Sequence, residues 1–176
     1  MEGKEAILCA LAEYIKNEQD GFYFYEYSAK RTSDERGQQM FRSLAADELR
    51  HIAGLQAEYE AVLNDQAWVA VQQFGACKLP DKDTIFPANK ARVDEMIREA
   101  ATDLDALRIA IEMEKASYET YKAEADKAKS PEVRQVFEAL ANEEHGHFEI
   151  LDNTFNYLAN TGDWYQVAEK PIFEGG

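Results

Sequence analysis

Hydrophobic side chains recur every three or four residues along four long stretches of the chain, a spacing typical of amphipathic helices. These apolar stripes predict helices over residues 4–31, 34–63, 103–128 and 131–159. Between the second and third helices, residues 64–102 contain a glycine and two prolines that leave room only for short helical pieces. The pattern predicts an all-α protein, a four-helix bundle of two helical hairpins joined by a long crossover, with an irregular tail over residues 160–176.

Residues that favour helix starts precede three of these stretches. Thr32 and Glu35 have the spacing of a capping box before the second helix. Thr102 or Asp103 is expected to cap the third helix. Ser130, which is followed directly by a proline, marks the start of the fourth helix, because proline is favoured in the first helical turn.

Ionisable residues interrupt the first two apolar stripes. Glu18 lies within the first stripe, and Glu48 and His51 lie in the middle of the second. A single Glu-x-x-His motif on a helix is weak evidence for a metal site, because both residue types are common on exposed helix faces. The motif alone is therefore compatible with a metal-binding pair or with two solvated side chains.

An internal repeat favours the metal-binding interpretation. The segment MFRSLAADELRH, residues 40–51, aligns with VFEALANEEHGH, residues 136–147, at a shift of 96 residues. Each half of the chain has a glutamate, a tyrosine seven residues later, and a Glu-x-x-His motif thirty residues after the first glutamate. The tyrosines are Tyr25 and Tyr121, and the ionisable residues are Glu18, Glu48, His51, Glu114, Glu144 and His147.

The distances from the predicted turns place these side chains at one level of the bundle. Glu18 precedes the first turn, and Glu48 follows it, by about fifteen residues, or about 20 Å along each helix at 1.5 Å per residue. Glu114 and Glu144 have the same relation to the second turn. If the hairpins pack with matched midpoints, four carboxylates and two imidazoles converge in the core. Two divalent cations would neutralise this otherwise strongly destabilising cluster.

Glutamates from two helices with Glu-x-x-His motifs from two others are the ligand pattern of di-iron and di-manganese carboxylate bundles. Nearly the whole chain resembles the ferritin-like di-iron carboxylate superfamily, and within it the rubrerythrin-like family. The residues that carry the resemblance are Glu18, DELRH (47–51), Glu114 in AIEMEKASYETY, and EEHGH (143–147). The resemblance implies two iron ions. Glu48 and Glu144 would bridge them, and Glu18 and Glu114 would be terminal ligands. His51 and His147 would each complete one iron. The resemblance also implies that Tyr25 and Tyr121 donate hydrogen bonds behind the ligands, whereas simple core packing is the alternative.

Two features depart from the family pattern. Rubrerythrins usually contain a rubredoxin domain that feeds electrons to the metal pair, whereas the only cysteines here are Cys9 and Cys77, expected to be reduced and partly buried. Many members also have a further glutamate one turn after the third-helix ligand, and Ser117 takes that position in this chain. Both differences concern the full catalytic cycle, and neither affects the six core ligands.

The resemblance implies a non-haem di-iron oxidoreductase that reduces hydrogen peroxide or O2, with Fe(II)/Fe(III) cycling, in oxidative-stress defence. A separate rubredoxin-like protein or flavoprotein would supply electrons. Manganese at one or both positions is an alternative, because these ligand types do not distinguish the two metals sharply. Two other functions remain open: a ferroxidase or iron-handling ferritin-like protein, and a non-catalytic helical interaction module with solvated carboxylates.

Composition narrows the partners and the location. With 34 acidic and 19 basic residues, the formal charge of −15 argues against nucleic acid or an anionic membrane as a partner. The first apolar run contains Glu13 and fits neither a signal peptide nor a membrane span, so a cytoplasmic location is expected. The length of 176 residues suits a single domain over residues 1–176, and the family implies a homodimer. His145 lies off the ligand stripe and is expected to be solvated.

Overall fold

A computed structural model of the chain describes residues 4–66 and 90–162. Within these ranges there are five α-helices and no strand: α1 Lys4–Arg31, α2 Glu35–Leu63, α3 Lys90–Glu99, α4 Asp103–Lys127 and α5 Pro131–Thr161. Helix α1 packs mainly on α2, and α4 packs mainly on α5, which confirms the predicted all-α ferritin-like bundle of two hairpins. Most of the predicted crossover, with Cys77, and nearly all of the predicted tail lie outside the described residues. None of the described helices has the length and hydrophobicity that crossing a membrane requires.

The cap of α2 differs from the prediction. Asp34, not Thr32, caps the helix, and its carboxylate accepts hydrogen bonds from the backbone N–H and the guanidinium of Arg36 at 2.9–3.0 Å. One carboxylate thus accepts three hydrogen bonds, which explains why it is preferred to a hydroxyl two residues earlier. Thr32 is buried instead and donates its hydroxyl to Oδ1 of Asp103 at 3.1 Å, which ties the first hairpin turn to the start of α4.

Helices α4 and α5 have caps among the predicted residues. Thr102 forms a capping box with Asp105: the Thr102 hydroxyl accepts from the Asp105 N–H at 3.1 Å, and the Asp105 carboxylate accepts from the Thr102 N–H at 3.0 Å. Ser130 caps α5 and accepts from the N–H of Val133 at 3.4 Å, with the proline in the first turn. These caps fix where the second hairpin begins and turns.

Two apolar clusters fill the bundle, one toward each hairpin turn. The first includes Phe41 near the α1–α2 turn and Leu107 of α4, and the second includes Leu11 of α1 and Phe137 near the α4–α5 turn. Full burial of such a side chain contributes roughly 1.5–3 kcal/mol, so the two clusters dominate the stability of the bundle. Along each long helix, the ionisable residues of the repeat lie between the segments that form the two clusters.

Helix α3 covers part of the groove between α1 and α4. The Arg92 guanidinium donates to Oδ1 of Asn17 at 3.1 Å, and Met96 is buried in one cluster with Phe24. At the end of α1, Arg31 donates to the two backbone carbonyls that directly follow α3. Helix α3 therefore runs parallel to the second half of α1.

Candidate metal centre

The six repeated ionisable side chains meet in the middle of the bundle. Each is at most 6% exposed, and together they come from all four long helices: Glu18 from α1, Glu48 and His51 from α2, Glu114 from α4, and Glu144 and His147 from α5. Ligand atoms lie within 4.8 Å of one another in two groups, which are Glu48, Glu114, Glu144 and His147, and Glu18, His51 and Glu144. The structure thus brings every predicted ligand into one cluster, and Glu144 belongs to both groups.

Both imidazoles direct Nδ1 toward the carboxylates. His51 Nδ1 lies 3.0 Å from Oε2 of Glu18 and 3.1 Å from Oε1 of Glu144. His147 Nδ1 lies 3.4 Å from Oε2 of Glu114 and 3.3 Å from Oε2 of Glu144. The two rings stack with centroids 5.8 Å apart. Glu144 therefore approaches each imidazole with a different carboxylate oxygen.

Two carboxylates that the sequence analysis missed lie on the outer edges of the imidazoles. Nε2 of His51 is 3.2 Å from Oε2 of Glu143, and Nε2 of His147 is 3.2 Å from Oδ2 of Asp47. Such a hydrogen bond fixes the orientation and tautomer of a metal-binding histidine. Arg50 forms an ion pair with Asp47 and lies 3.9 Å from Glu143. The sequence does contain a signal for both acids, since each directly precedes the glutamate of a Glu-x-x-His motif and the 96-residue shift relates them.

The two predicted tyrosines connect the hairpins. The Tyr25 hydroxyl donates to Oε1 of Glu114, and the Tyr121 hydroxyl donates to Oε1 of Glu18. Each tyrosine ring also stacks on a phenylalanine of its own hairpin, with centroid distances of 6.2 and 6.0 Å. The tyrosines thus pack in the core and also orient a glutamate of the opposite hairpin.

Burial dominates the electrostatics of the carboxylates. Burial, reinforced by repulsion from the other three glutamates, raises the pKa of Glu48 well above its ordinary value. Burial and the close approach of the Glu144 carboxylate raise the pKa of Glu114 to about 8. Burial acts on Glu144 too, but the charge of His51 and the close contacts of Glu114 and both imidazoles together outweigh it and hold the pKa of Glu144 well below its ordinary value. At neutral pH the metal-free cluster therefore holds protons on some carboxylates.

The imidazoles show the opposite balance. Burial alone would lower their pKa values, but the surrounding carboxylates outweigh it, with Glu144 contributing most at His51 and Asp47 contributing most at His147. The pKa of His51 lies well above its ordinary value, and that of His147 is raised to about 11. Metal ligation requires neutral imidazole and ionised carboxylate, so a divalent cation would displace protons from this cluster and replace their charge.

Several buried ligand atoms make no hydrogen bond within the described part of the chain. They are both carboxylate oxygens of Glu144 and Nδ1 of His147, although these atoms lie only 3.1–3.4 Å from other ligand atoms. A buried polar atom without a partner costs about 1–3 kcal/mol. Four carboxylates and two imidazoles are donor types that suit iron or manganese. The cluster therefore fits a pair of divalent cations better than it fits a metal-free core.

Gly21 allows α1 to approach this cluster closely. A Cβ atom at this position would lie 3.1 Å from Cδ and 3.2 Å from Oε1 of Glu48, which is closer than ordinary van der Waals contact. The repeat relates Gly21 to Ser117 of α4. The glycine is therefore needed on the α1 side so that the Glu48 carboxylate can keep its place.

Two other predictions concern residues outside the cluster. His145 is exposed as predicted, and its Nε2 lies 3.5 Å from Oε1 of Glu149. Cys9 is a free thiol as predicted, but it is exposed rather than partly buried. It lies off the buried stripe that includes Leu11 and Ile15, which explains the difference.

The fold and the site together define a ferritin-like helical bundle with a buried carboxylate–histidine cluster that can hold metal ions. A family model described as rubrerythrin matches residues 10–155, and the chain belongs to the rubrerythrin family. No curated protein and no solved structure matches the chain. No rubredoxin domain is evident in this sequence, which contains two cysteines. Family and site together indicate a di-iron protein.

Proposed function

We propose that this protein is a non-haem di-iron oxidoreductase that reduces hydrogen peroxide or O2. The supporting observation is the convergence of four glutamates and two histidines from the four long helices, with Glu144 within reach of both imidazoles. When bound, a pair of irons supplies two electrons by passing from Fe(II) to Fe(III), and reduction of one hydrogen peroxide to two waters consumes two electrons and two protons.

The side chains of this chain hold and orient the proposed metal pair. Asp47 and Glu143 fix the two imidazoles through Nε2, so that Nδ1 of each ring faces the carboxylates. Tyr25 and Tyr121 fix the two glutamates that the family pattern assigns as terminal ligands. The apolar clusters on both sides keep bulk water out of this layer, which strengthens electrostatic interactions within it.

The proposal includes a separate electron donor. Each cycle uses two electrons that have to be restored, and the two cysteines of this sequence are too few for a rubredoxin-type iron site. We therefore propose that a rubredoxin-like protein or a flavoprotein reduces the metal pair, in a role in oxidative-stress defence. We also propose that the protein acts as a homodimer.

Anaerobic loading with Fe(II) to two ions per chain, followed by titration with hydrogen peroxide, tests this function. Ferric absorption is expected to reach its full amplitude at one peroxide per two irons. Glu138→Ala, which changes an exposed residue of α5, is a matched control and is expected to behave as the unchanged protein. Absence of ferric absorption from the loaded protein would contradict the proposal.

The ferroxidase alternative predicts a different result with excess iron. Iron storage requires a closed shell of many subunits that retains far more than two irons per chain. Size-exclusion chromatography with light scattering, followed by iron analysis, distinguishes the two. We expect a small oligomer that holds two irons per chain, and a large iron-filled assembly would favour storage.

A further inference from the structure

A small cavity lies between α1 and α4, beside the first residues of α3. Its volume is about 90 Å³, and its rim includes Asn17, Arg92 and Ala116, which are all exposed. Its floor is the side chain of Tyr121, which is 1% exposed. The cavity therefore runs from the surface of the bundle to a fully buried side chain.

The floor of the cavity directly adjoins the metal centre. The Tyr121 hydroxyl donates to Oε1 of Glu18, so one side chain separates the cavity from the carboxylate cluster. Two other pockets lie on the outer surface of the bundle, near Tyr118 and near Ile7. Neither is lined by any of the six proposed ligands, by Tyr25 or by Tyr121. Among the described residues, this cavity therefore offers a short path toward the proposed metal pair.

The internal repeat explains why the cavity exists on this side. Thr120 of α4 lines the cavity, and the repeat relates it to Phe24 of α1, which is fully buried in the cluster that includes Met96. Ser117, which also lines the cavity, corresponds to Gly21, whose backbone packs against Glu48. The Phe24 ring fills the core at its position of the repeat, whereas the smaller Thr120 leaves open space at the equivalent position of α4.

The size and lining of the cavity indicate the class of molecule that fits. A water molecule needs on the order of 10–15 Å³ of such volume, whereas an engineered cavity that binds benzene measures about 150 Å³. The present cavity therefore has room for a few water-sized molecules and is too small for an aromatic ring. Its lining residues include Ser117, Thr120, Asn17 and Arg92. The Thr120 hydroxyl donates to the carbonyl of Ala116 at 2.8 Å and can still accept a hydrogen bond. Side chains of these types suit a small molecule that both donates and accepts hydrogen bonds.

Charge further favours a neutral ligand. The chain has a formal charge of −15, which repels small anions from its surface. Arg92 at the rim does not offset this charge fully, because it donates to Asn17 at 3.1 Å and lies 3.7 Å from the buried carboxylate of Asp20. A neutral hydroxylic molecule meets no such barrier.

We propose that this cavity is the access subsite for hydrogen peroxide, and that its size excludes aromatic hydroperoxides. This inference rests on the proposed function. The subsite binds the oxidant outside Tyr121, which separates it from Glu18, before the oxidant reaches the metal pair. Thr120 and Ser117 thereby determine which oxidants enter.

Accessibility of the cavity can be measured without metal or turnover. In a Cys9→Ser, Cys77→Ser background, Ser117→Cys introduces a single thiol that lines the cavity. Methyl methanethiosulfonate, a small neutral reagent, is expected to modify this thiol in the folded metal-free protein, as followed by mass spectrometry. Adding Thr120→Phe is expected to slow the modification at least tenfold, whereas Ala123→Phe, an exposed change on the same helix, leaves it unchanged. An unreactive thiol, or equal rates in all three proteins, overturns the subsite.

Reaction rates then connect the cavity with the oxidant. In the Fe(II)-loaded protein, Thr120→Phe is expected to lower the second-order rate constant for hydrogen peroxide at least tenfold, with two metals per chain retained. Cumene hydroperoxide is expected to oxidise the unchanged protein at least tenfold more slowly than hydrogen peroxide. If circular dichroism shows that Thr120→Phe is unfolded, Thr120→Leu replaces it in both measurements. Equal peroxide rates with a filled cavity overturn the subsite alone, whereas no peroxide reaction in the unchanged protein overturns the proposed function and the subsite with it.

Discussion

The two hairpins of the bundle share their ionisable residues but differ in what surrounds them. The 96-residue shift relates the two glutamates, the histidine and the tyrosine that the first hairpin contributes to the cluster to identical residues of the second. Other positions differ. Arg50, which contacts the acids behind both imidazoles, corresponds to Gly146, which has no side chain. Gly21 corresponds to Ser117. The donors of the cluster thus follow the repeat, whereas the residues that support them do not.

This difference extends to the cluster itself. Glu144 of the second hairpin lies within 3.3 Å of both imidazoles, whereas its counterpart Glu48 comes within 4.0 Å of His51 alone, at 3.8 Å. The two proposed metal positions therefore have the same donor types but different surroundings. We expect the two positions to differ in affinity, and the following changes test this comparison.

Glu144→Ala should have the largest effect, because this carboxylate belongs to both groups of ligand atoms. We expect it to abolish binding of both metals, whereas Glu48→Ala should retain part of the metal content. Iron per chain, measured by elemental analysis after anaerobic loading and desalting, checks this expectation. Glu138→Ala is the control, and retention of a full pair by Glu144→Ala would refute the shared role.

The tyrosine hydroxyls should contribute equally in the two halves. Tyr25→Phe and Tyr121→Phe each keep the ring stack but leave one buried glutamate oxygen without its tyrosine donor, which costs about 1–3 kcal/mol. Urea unfolding of the metal-free protein should show losses of this size for both variants. Tyr27→Phe, a change at a half-buried residue of α1, should stay within about 0.5 kcal/mol of the unchanged protein. Unchanged stability of both variants would mean that the rings act by packing alone.

The acids behind the imidazoles should distinguish the halves. Loss of such a partner typically lowers metal affinity 10–100-fold. We expect Asp47→Asn to have a larger effect than Glu143→Gln, because the Asp47 side chain is 19% exposed and that of Glu143 is 46% exposed. Competition with a chelator for Fe(II) under anaerobic conditions measures both affinities. Glu138→Gln serves as the control, and the reverse order would contradict the importance of burial at this position.

Gly21→Ala should have a smaller effect than the changes above. Overpacking that displaces the Glu48 carboxylate lowers the free energy of unfolding by about 1–3 kcal/mol. The higher helix propensity of alanine offsets about 1 kcal/mol of this loss. We therefore expect a modest loss of stability together with weaker metal binding. The equivalent change at the other half, Ser117→Gly, should cost only about 0.5 kcal/mol in propensity and leave metal affinity unchanged. Stabilisation by Gly21→Ala at full metal affinity would contradict the close approach to Glu48.

The sequence predicted the long helices and the ligand cluster because both depend on periodic spacing. Glu18 and Glu144 could be placed at one level from their distances to the hairpin turns, without knowledge of any contact. The contacts of Asp47 and Glu143 could not be predicted in this way, because each residue lies one position off the buried stripe and contacts an imidazole of the opposite hairpin. The cap at Asp34 also required the structure, since it depends on how Arg36 folds back on the same carboxylate.

The crossed tyrosine contacts have a consequence for folding. Because each tyrosine donates to a glutamate of the other hairpin, neither hairpin supplies the tyrosine donor of its own buried glutamate in isolation. Separation of the hairpins would break both tyrosine–glutamate hydrogen bonds at once and leave their hydroxyls and carboxylates exposed to water or without these partners. The bundle is therefore expected to open as a single cooperative unit, with amide hydrogens at the centres of all four long helices exchanging through the same global event.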